Sequence, residues 1–397
     1  MSLYYQIYTG SGAGRNITRD KILNRLPESN YIDSLIVGWS ENTDIYRELR
    51  YYTKQEGIKL WLWYPVFSEH ATQGEFHQQV NIRTGEPFGA KVFDGDETFD
   101  FCCPSQARIP DELLTIYDDI YSAGEFDGVF LDRIRYPSMT MGLEALFGCS
   151  CEDCLAWFET KGLPKAEIAA CYGRLERRIE DQDCDNPMGI ESYQNGTYTF
   201  SDPVLSKLLI LRCERISSIL QELSDGFRKR ELLVGMDLFA PFLSTFVGQD
   251  YLALGAMSDF AKPMLYRNTY TPAGIFFELD AMAKALSGGN AQTFQRRRSF
   301  LQEVLGLHGN GMTFLRRELD ALRYFSHKLR AEDRFIPGIE IHTVRESPPV
   351  CCNSIRETVR TLEEAGFQSR VACWDILCAD DSALKAFAGF SGGEQLE

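Results

Sequence analysis

The chain has 397 residues and carries 41 Lys and Arg against 57 Asp and Glu, a formal net charge of −16. That surplus weighs against nucleic acid and anionic membrane as partners, because phosphate surfaces are bound through clustered cations. The dense basic run Arg296–Arg298 reads as a solvated helix face. No apolar stretch approaches the ~18 residues needed to span a bilayer. Met1–Gly10 lacks the charged, apolar and small-residue regions of a signal peptide. Twelve cysteines without such a signal suit a reducing cytoplasm, which is the expected location.

Eight short apolar runs follow one another: Tyr5–Tyr8, Leu35–Trp39, Leu60–Phe67, Gly128–Ile134, Leu232–Phe239, Phe260–Arg267, Pro337–Val344 and Val371–Leu377. Behind the first, Gly10–Gly14 lacks both the G-K-[ST] ending and the full G-x-G-x-x-G spacing, so a flexible βα loop is expected. Behind the third, Ser68–Cys103 is polar and turn-rich, with Thr84-Gly85-Glu86-Pro87 resembling a hairpin tip. Leu113, Ile116, Tyr117 and Ile120 then mark one helix face, and Gly124 stops it. Behind the fourth run, Ser138–Ser201 holds a cysteine cluster, a charged helix and the polar stretch Asp181–Thr199. Asp202-Pro203 opens a long helix towards Arg230, with proline suited to the first turn. Ser354 and Glu357 form a capping-box pattern, Val359 and Leu362 continue the stripe, and Gly366 ends it.

Strand–helix alternation implies a parallel sheet. Strand side chains alternate faces, so parity sorts each run into an apolar and a mixed face. Val129 and Leu131 oppose Gly128, Phe130 and Asp132; Val234, Met236 and Leu238 oppose Gly235 and Asp237. Ala261, Pro263 and Leu265 oppose Lys262, Met264 and Tyr266; Ile339 and Ile341 oppose Glu340 and His342. The apolar faces would pack on surrounding helices and the mixed faces would point inward. Polar groups at the strand ends then form the catalytic rim of a (β/α)8 TIM barrel, the expected α/β fold. No Pro/Gly/Ser-rich linker, charge block or repeat divides the sequence. One barrel domain over 1–397 is expected, with insertions at about 68–105 and 138–201 forming walls or lids.

Cys149-Ser150-Cys151-Glu152-Asp153-Cys154 gives C-x-C-x-x-C, with Cys102-Cys103 upstream. Thiolates at this spacing can converge on one soft tetrahedral ion. Cys103, Cys149, Cys151 and Cys154 are the expected ligands of a structural Zn2+, with Cys102 the alternative to Cys103. Four thiolates would close the coordination sphere, so the metal would staple the loop and supply no catalytic cofactor. Cys184, Cys351 and Cys352 are spare candidates, and an iron–sulfur cluster is the less favoured occupant.

The segment Phe126–Pro137 reads F-D-G-V-F-L-D-R-I-R-Y-P. It resembles the fourth-strand motif of bacterial glycosyl-hydrolase-like barrels, D-G-(apolar)-x-(apolar)-D-x-x-R-Y-P followed by a cysteine motif. The cysteine element is similar to the structural zinc site of barrel β-galactosidases. More distantly, the strand resembles the chitinase pattern D-G-x-D-x-D-x-E, and Lys262–Tyr266 is like the M-x-Y strand of chitinase-type barrels. The resemblance runs from Cys103 to Trp157. It departs where the β-galactosidase Asn-Glu pair would end strand four, since Asp132-Arg133 stands there. The chitinase acid is also missing, with Ile134 or Arg135 in its place. The resemblance implies a barrel acting on carbohydrate more than it implies a mechanism.

Glycosidic bonds are normally cleaved between two carboxyl groups, one an acid and one a nucleophile or base. Asp132, Asp237, Glu340 and Asp375 are the inward rim carboxylates expected here. Asp132 as proton donor and Glu340 as nucleophile or base are the favoured catalytic pair, because strands four and seven face across the mouth, with the reverse roles nearly as well suited. Asp132 with Asp237 is the second pairing. In the bland alternative, Glu340 merely neutralises Lys262. His342 is a rim base or a satisfied interior histidine; Arg135 and Tyr136 are expected to bind sugar hydroxyls or to brace the loop, and Lys262 and Tyr266 are expected to steady a carboxylate or to contact substrate. Trp63 and Trp374 are expected to contact substrate, since their faces suit sugar rings. The expected function is hydrolysis of a glycosidic bond in an oligosaccharide or glycoside, with homo-oligomer formation left open. A non-catalytic carbohydrate-binding barrel and a lyase or aldolase using Lys262 as a Schiff-base nucleophile are the alternatives.

Overall fold

Every one of the eight apolar runs finds parallel partners on both sides, and the sheet closes on itself. The computed structural model describes residues 1–10, 16–27, 32–68, 76–89, 91–93, 97–307, 311–344 and 347–389. The barrel strands are β1 (Leu3–Tyr8), β2 (Ile32–Gly38), β3 (Lys59–Pro65), β4 (Gly128–Asp132), β5 (Leu233–Phe239), β6 (Phe260–Met264), β7 (Gly338–Glu340) and β8 (Arg370–Cys373). Their spatial order is β1-β8-β7-β6-β5-β4-β3-β2, a closed (β/α)8 barrel. Residues Ser11–Gly14 of the first loop lie outside the described residues.

Helices precede or follow the strands: α1 (Arg19–Leu23), α2 (Asp44–Glu56), α3 (Ile109–Ile116), α4 (Glu152–Thr160), α5 (Lys165–Glu180) and α6 (Pro203–Arg228) in the first half. The second half adds α7 (Pro241–Val247), α8 (Tyr251–Met257), α9 (Ile275–Leu286), α10 (Ala291–Leu305), α11 (Met312–Leu329), α12 (Cys352–Glu364) and α13 (Asp381–Ala388). Asp202 caps α6 by accepting the N–H groups of Val204 and Leu205, as Asp-Pro predicts. In α12 the cap is Cys351, and Ser354 is the third helical residue, so the expected capping box is shifted upstream. Among the described residues no helix is long and apolar enough to cross a membrane.

Inside the barrel, side chains of one parity meet across the axis. Phe130 of β4 stacks on Phe260 of β6 at 5.5 Å, and Trp61 and Tyr4 meet Phe260 at 4.9 and 5.0 Å. Two glycines make room for this aromatic floor. A Cβ on Gly128 would fall 2.5 Å from the Trp61 ring, and one on Gly235 would fall 2.7 Å from Phe260. One pleat nearer the C-terminal ends the lining turns polar, with Asp237 and Lys262 paired in register. Phe130↔Gly235 and Leu131↔Met236 pair β4 with β5 in parallel, which sets Asp132 and Asp237 on the same face.

The insertions carry structure of their own. Val80 and Pro87 bridge across the Thr84–Pro87 tip, and strands 91–93 and 97–99 pair antiparallel. Ile190–Gln194 and Thr197–Phe200 form a hairpin in the stretch read from sequence as merely polar. Its turn, Asn195-Gly196, has φ of 49° and 75°, the left-handed pair that Asn-Gly supplies. The expectation of a solvated Arg296–Arg298 also needs correction. Arg297 is fully buried on α10 and donates to the carbonyls of Arg178, Ile179, Asp181, Cys184 and Leu286. It thereby satisfies the C-terminal ends of α5 and α9, which have no intrahelical donors. Its neighbours Arg296 and Arg298 pair with Asp185 and Asp280.

Candidate active site

The polar layer centres on Lys262. Its ammonium has three donors, and all three find acceptors: Asp237 Oδ2 at 2.8 Å, Gln6 Oε1 at 3.0 Å and Tyr266 Oη at 3.0 Å. Burial, the largest single influence, would lower the Lys262 pKa, but the surrounding negative charges and the Asp237 hydrogen bond, with the Asp237 charge foremost, together raise it. A fully coordinated cation of this kind is the opposite of a Schiff-base lysine, which needs a free amine. The lyase alternative therefore loses its nucleophile.

Asp237 is only half compensated. Its Oδ1 is buried and has no hydrogen-bond partner among the described residues. Burial pushes its carboxyl up to about 7, Lys262 opposes that shift, and the nearby charge of Asp132 adds to it. Asp132 turns the other way: Oδ2 accepts from Trp63 Nε1 at 2.9 Å, and Oδ1 accepts from the Arg133 N–H at 2.5 Å. Two N–H donors fix its orientation. Other inward polar atoms also lack partners among the described residues: Gln6 Nε2, Trp39 Nε1 and His342 Nδ1. Buried polar atoms are nearly always paired with protein or solvent, so this concentration marks a place for a polar guest or ordered water.

Aromatic rings rim the layer. Trp63 meets Trp39 at 5.6 Å and Tyr8 at 6.2 Å, and the Arg133 guanidinium lies 4.8 Å over Trp39. On the opposite side Tyr266 meets Trp374 at 5.6 Å, with His342 a further 6.2 Å from Trp374. Burial pushes the His342 imidazole down to about 4, so it is neutral near pH 7. Trp39 and Trp374 each follow a cis peptide bond at a strand end.

Several expected residues are engaged elsewhere. Glu340 sits at the end of β7, but its carboxylate accepts the backbone N–H groups of Arg267, at 3.2 Å, and Asn268. It holds the loop after β6; the partner of Lys262 is Asp237 and not Glu340. Asp375 accepts the Leu377 N–H and caps the turn that ends β8. Arg135 is enclosed between Phe101 and Phe239, with its guanidinium 4.7 and 4.4 Å from the rings. Tyr136 is fully buried under Arg212, 4.5 Å from its ring, and faces Gly148 and Gly248. The reason is local: Arg133 has φ of 53°, which breaks the strand alternation, so parity no longer places the residues after it. Gln6 was missed in the sequence although it is the one polar residue in its run and shares parity with Tyr4 and Tyr8.

The sulfur atoms of Cys103, Cys149, Cys151 and Cys154 all lie within 4.8 Å of one another. Cys103 Sγ is 3.5 Å from Cys151 Sγ and 3.4 Å from Cys154 Sγ. Four thiolates around zinc at ~2.3 Å stand about 3.8 Å apart, whereas a disulfide measures ~2.05 Å. The donor set fits a soft tetrahedral ion. Backbone N–H groups of Val80 and Ser105 point at Cys149 and Cys103, as they do around metal-bound sulfur. Cys102 is buried apart from the group, and Cys184, Cys351 and Cys352 do not join it. The cluster ties the β3 insertion to the β4 insertion.

The chain matches no family model and no curated protein. It does share its fold with solved structures. The PgaB (BpsB) glycoside hydrolase domain from Bordetella bronchiseptica is 14% identical with a TM-score of 0.55, over 92% of this chain and 90% of that one. Alpha-L-fucosidase isoenzyme 2 from Paenibacillus thiaminolyticus is 13% identical with a TM-score of 0.51, over 97% of this chain and 48% of that one. At these identities the likeness is one of architecture alone.

Proposed function

We propose that the chain is a glycoside hydrolase in which Asp237 is the proton donor and Asp132 the nucleophile or base. The observation that carries this reading is the uncompensated Asp237 Oδ1, on a carboxyl that burial pushes up to about 7. Such a group keeps its proton near neutrality and can give it to a leaving oxygen. Asp132, one strand away and held by two N–H donors, presents the second carboxylate that glycoside cleavage requires. The pair differs from the Asp132–Glu340 pair favoured by sequence, because Glu340 is committed to backbone amides. Aromatic faces at Trp63 and Trp374 are suited to sugar rings, and the architecture shared with two glycoside hydrolases supports the substrate class. Zinc bound by Cys103, Cys149, Cys151 and Cys154 would brace the two insertions and take no part in bond cleavage.

The test is release of reducing ends from a panel of aryl glycosides and oligosaccharides by the purified chain, Asp237→Asn and Asp132→Asn. Hydrolysis of at least one substrate, abolished in both variants with folding intact, is expected. No hydrolysis across the panel, or full activity in Asp237→Asn, removes the assignment.

A further inference from the structure

A cavity of about 930 Å³ opens between the β4 insertion and α9, away from the Lys262 layer. That volume lies near the top of the ~300–1,000 Å³ range of ligand pockets. Four rings line it: Tyr172 on α5, Tyr270 in the loop after β6, Phe277 on α9 and Phe294 on α10. Tyr270 and Phe277 meet edge to face at 5.4 Å, and Tyr270 is 42% exposed. Its charged lining is Glu144, Glu176, Glu180 and Asp280 against Arg83 and Lys284. Carboxylates thus outnumber cations, and Arg83 itself lies 3.6 Å from Glu144.

The cavity lies on the side of the barrel where β4 and β6 end, since Met139–Glu144 follow β4 and Tyr270 follows β6. On one side Met141 lines it together with a smaller pocket bounded by Phe101 and Pro137. Phe101 carries the Arg135 guanidinium, whose charge acts on Asp237. On the other side Tyr270 lies two residues beyond Asn268, the amide that Glu340 holds. Rings interspersed with hydrogen-bonding side chains suit sugar units, which present apolar C–H faces and polar edges together. The net negative wall disfavours polyanions. We infer that this cavity holds the distal units of an uncharged oligosaccharide chain whose reacting unit sits at Asp132 and Asp237. The inference rests on the glycoside hydrolase reading and assigns that site a chain-like substrate.

The experiment measures binding and cleavage separately. Calorimetry on the whole chain uses cello- and N-acetylated chito-oligosaccharide ladders from disaccharide to octasaccharide, with oligogalacturonate as the anionic control. Aryl monoglycosides report the reacting unit alone. Affinity is expected to rise with chain length, to fall about ten-fold in Tyr270→Ala and Phe277→Ala, and to be absent for oligogalacturonate. Aryl glycoside cleavage should be unchanged in both variants. Equal loss for long and short substrates, or no dependence on chain length or on either ring, overturns the inference while leaving hydrolysis standing. Length-dependent, ring-dependent binding without any cleavage would instead remove the catalytic reading and keep the cavity.

Discussion

Lys262 Nζ stands 2.8 Å from Asp237 Oδ2 with both side chains enclosed in the barrel. An enclosed ion pair would ordinarily keep its carboxylate ionised, yet here burial prevails and the acid is pushed up to about 7. Burial outweighs the Lys262 charge, the nearby Asp132 charge adds to the rise, and Oδ1 receives no donor among the described residues to offset it.

The first consequence is a pH profile. If Asp237 must be protonated to act, kcat/KM should fall about ten-fold per pH unit above about 7. Stability should move with it. The unfolded carboxyl titrates near ~3.9 and the folded one near 7, so the native state binds the extra proton between those values. The stabilisation is therefore complete at low pH and lost as pH rises through about 7. Urea midpoints from pH 4 to pH 8 should show a decline that Asp237→Asn flattens, and an unchanged slope in that variant would refute the assignment.

Replacing Lys262 tests the pair itself. Lys262→Met strands Asp237, Gln6 and Tyr266 without their shared donor and should cost about 3–5 kcal/mol, the usual penalty for halving an enclosed ion pair. The double variant Lys262→Met/Asp237→Asn should lose less than the sum of the singles. Borohydride with carbonyl compounds should leave Lys262 unmodified by peptide mapping, since its ammonium is fully coordinated.

The thiolate cluster predicts about one equivalent of zinc by elemental analysis of protein purified without chelator. Cys103→Ser should lower both metal content and Tm, whereas Cys102→Ser should leave the metal in place, because Cys102 stands apart from the four sulfurs. Intact mass showing disulfides among the four cysteines would end the zinc proposal.

Glu318 of α11 offers a test far from the mouth. It is fully buried, accepts from Tyr193 Oη at 2.5 Å and from the Phe242 N–H at 2.9 Å, and so anchors the Ile190–Phe200 hairpin to the helix layer. Burial pushes its carboxyl up to about 7. Glu318→Ala orphans two donors and should cost about 1–3 kcal/mol per donor left unpaired. Glu318→Gln should lose less, since an amide oxygen can still accept one of them. Chemical denaturation separates the two outcomes.

The barrel was legible because inward positions of parallel strands carry a mixed face, and Asp237 opposite Val234 and Met236 could be read by counting in twos. Glu340 was ranked too high for a reason no sequence reveals: the loop bringing the Arg267 and Asn268 amides to it comes from another strand. Tyr136 follows the left-handed turn at Arg133, where counting in twos no longer applies, so the sequence leaves it between sugar contact and bracing the loop. The C-x-C-x-x-C triplet was readable from local spacing, whereas the choice of Cys103 over Cys102 took the fold. The large cavity was not readable, since it is built by a helix of the β4 insertion and by helices that follow β6, far apart in sequence.

Arg297 gives that cavity a mechanical property. One guanidinium grips the carbonyl ends of α5 and α9, and these two helices are the opposing walls. Below the rings the walls are thus pinned like the blades of shears at their rivet. Any change in the spacing of α5 and α9 has to break bonds to Arg297, so a side chain outside the lining sets the width of the cavity at that end.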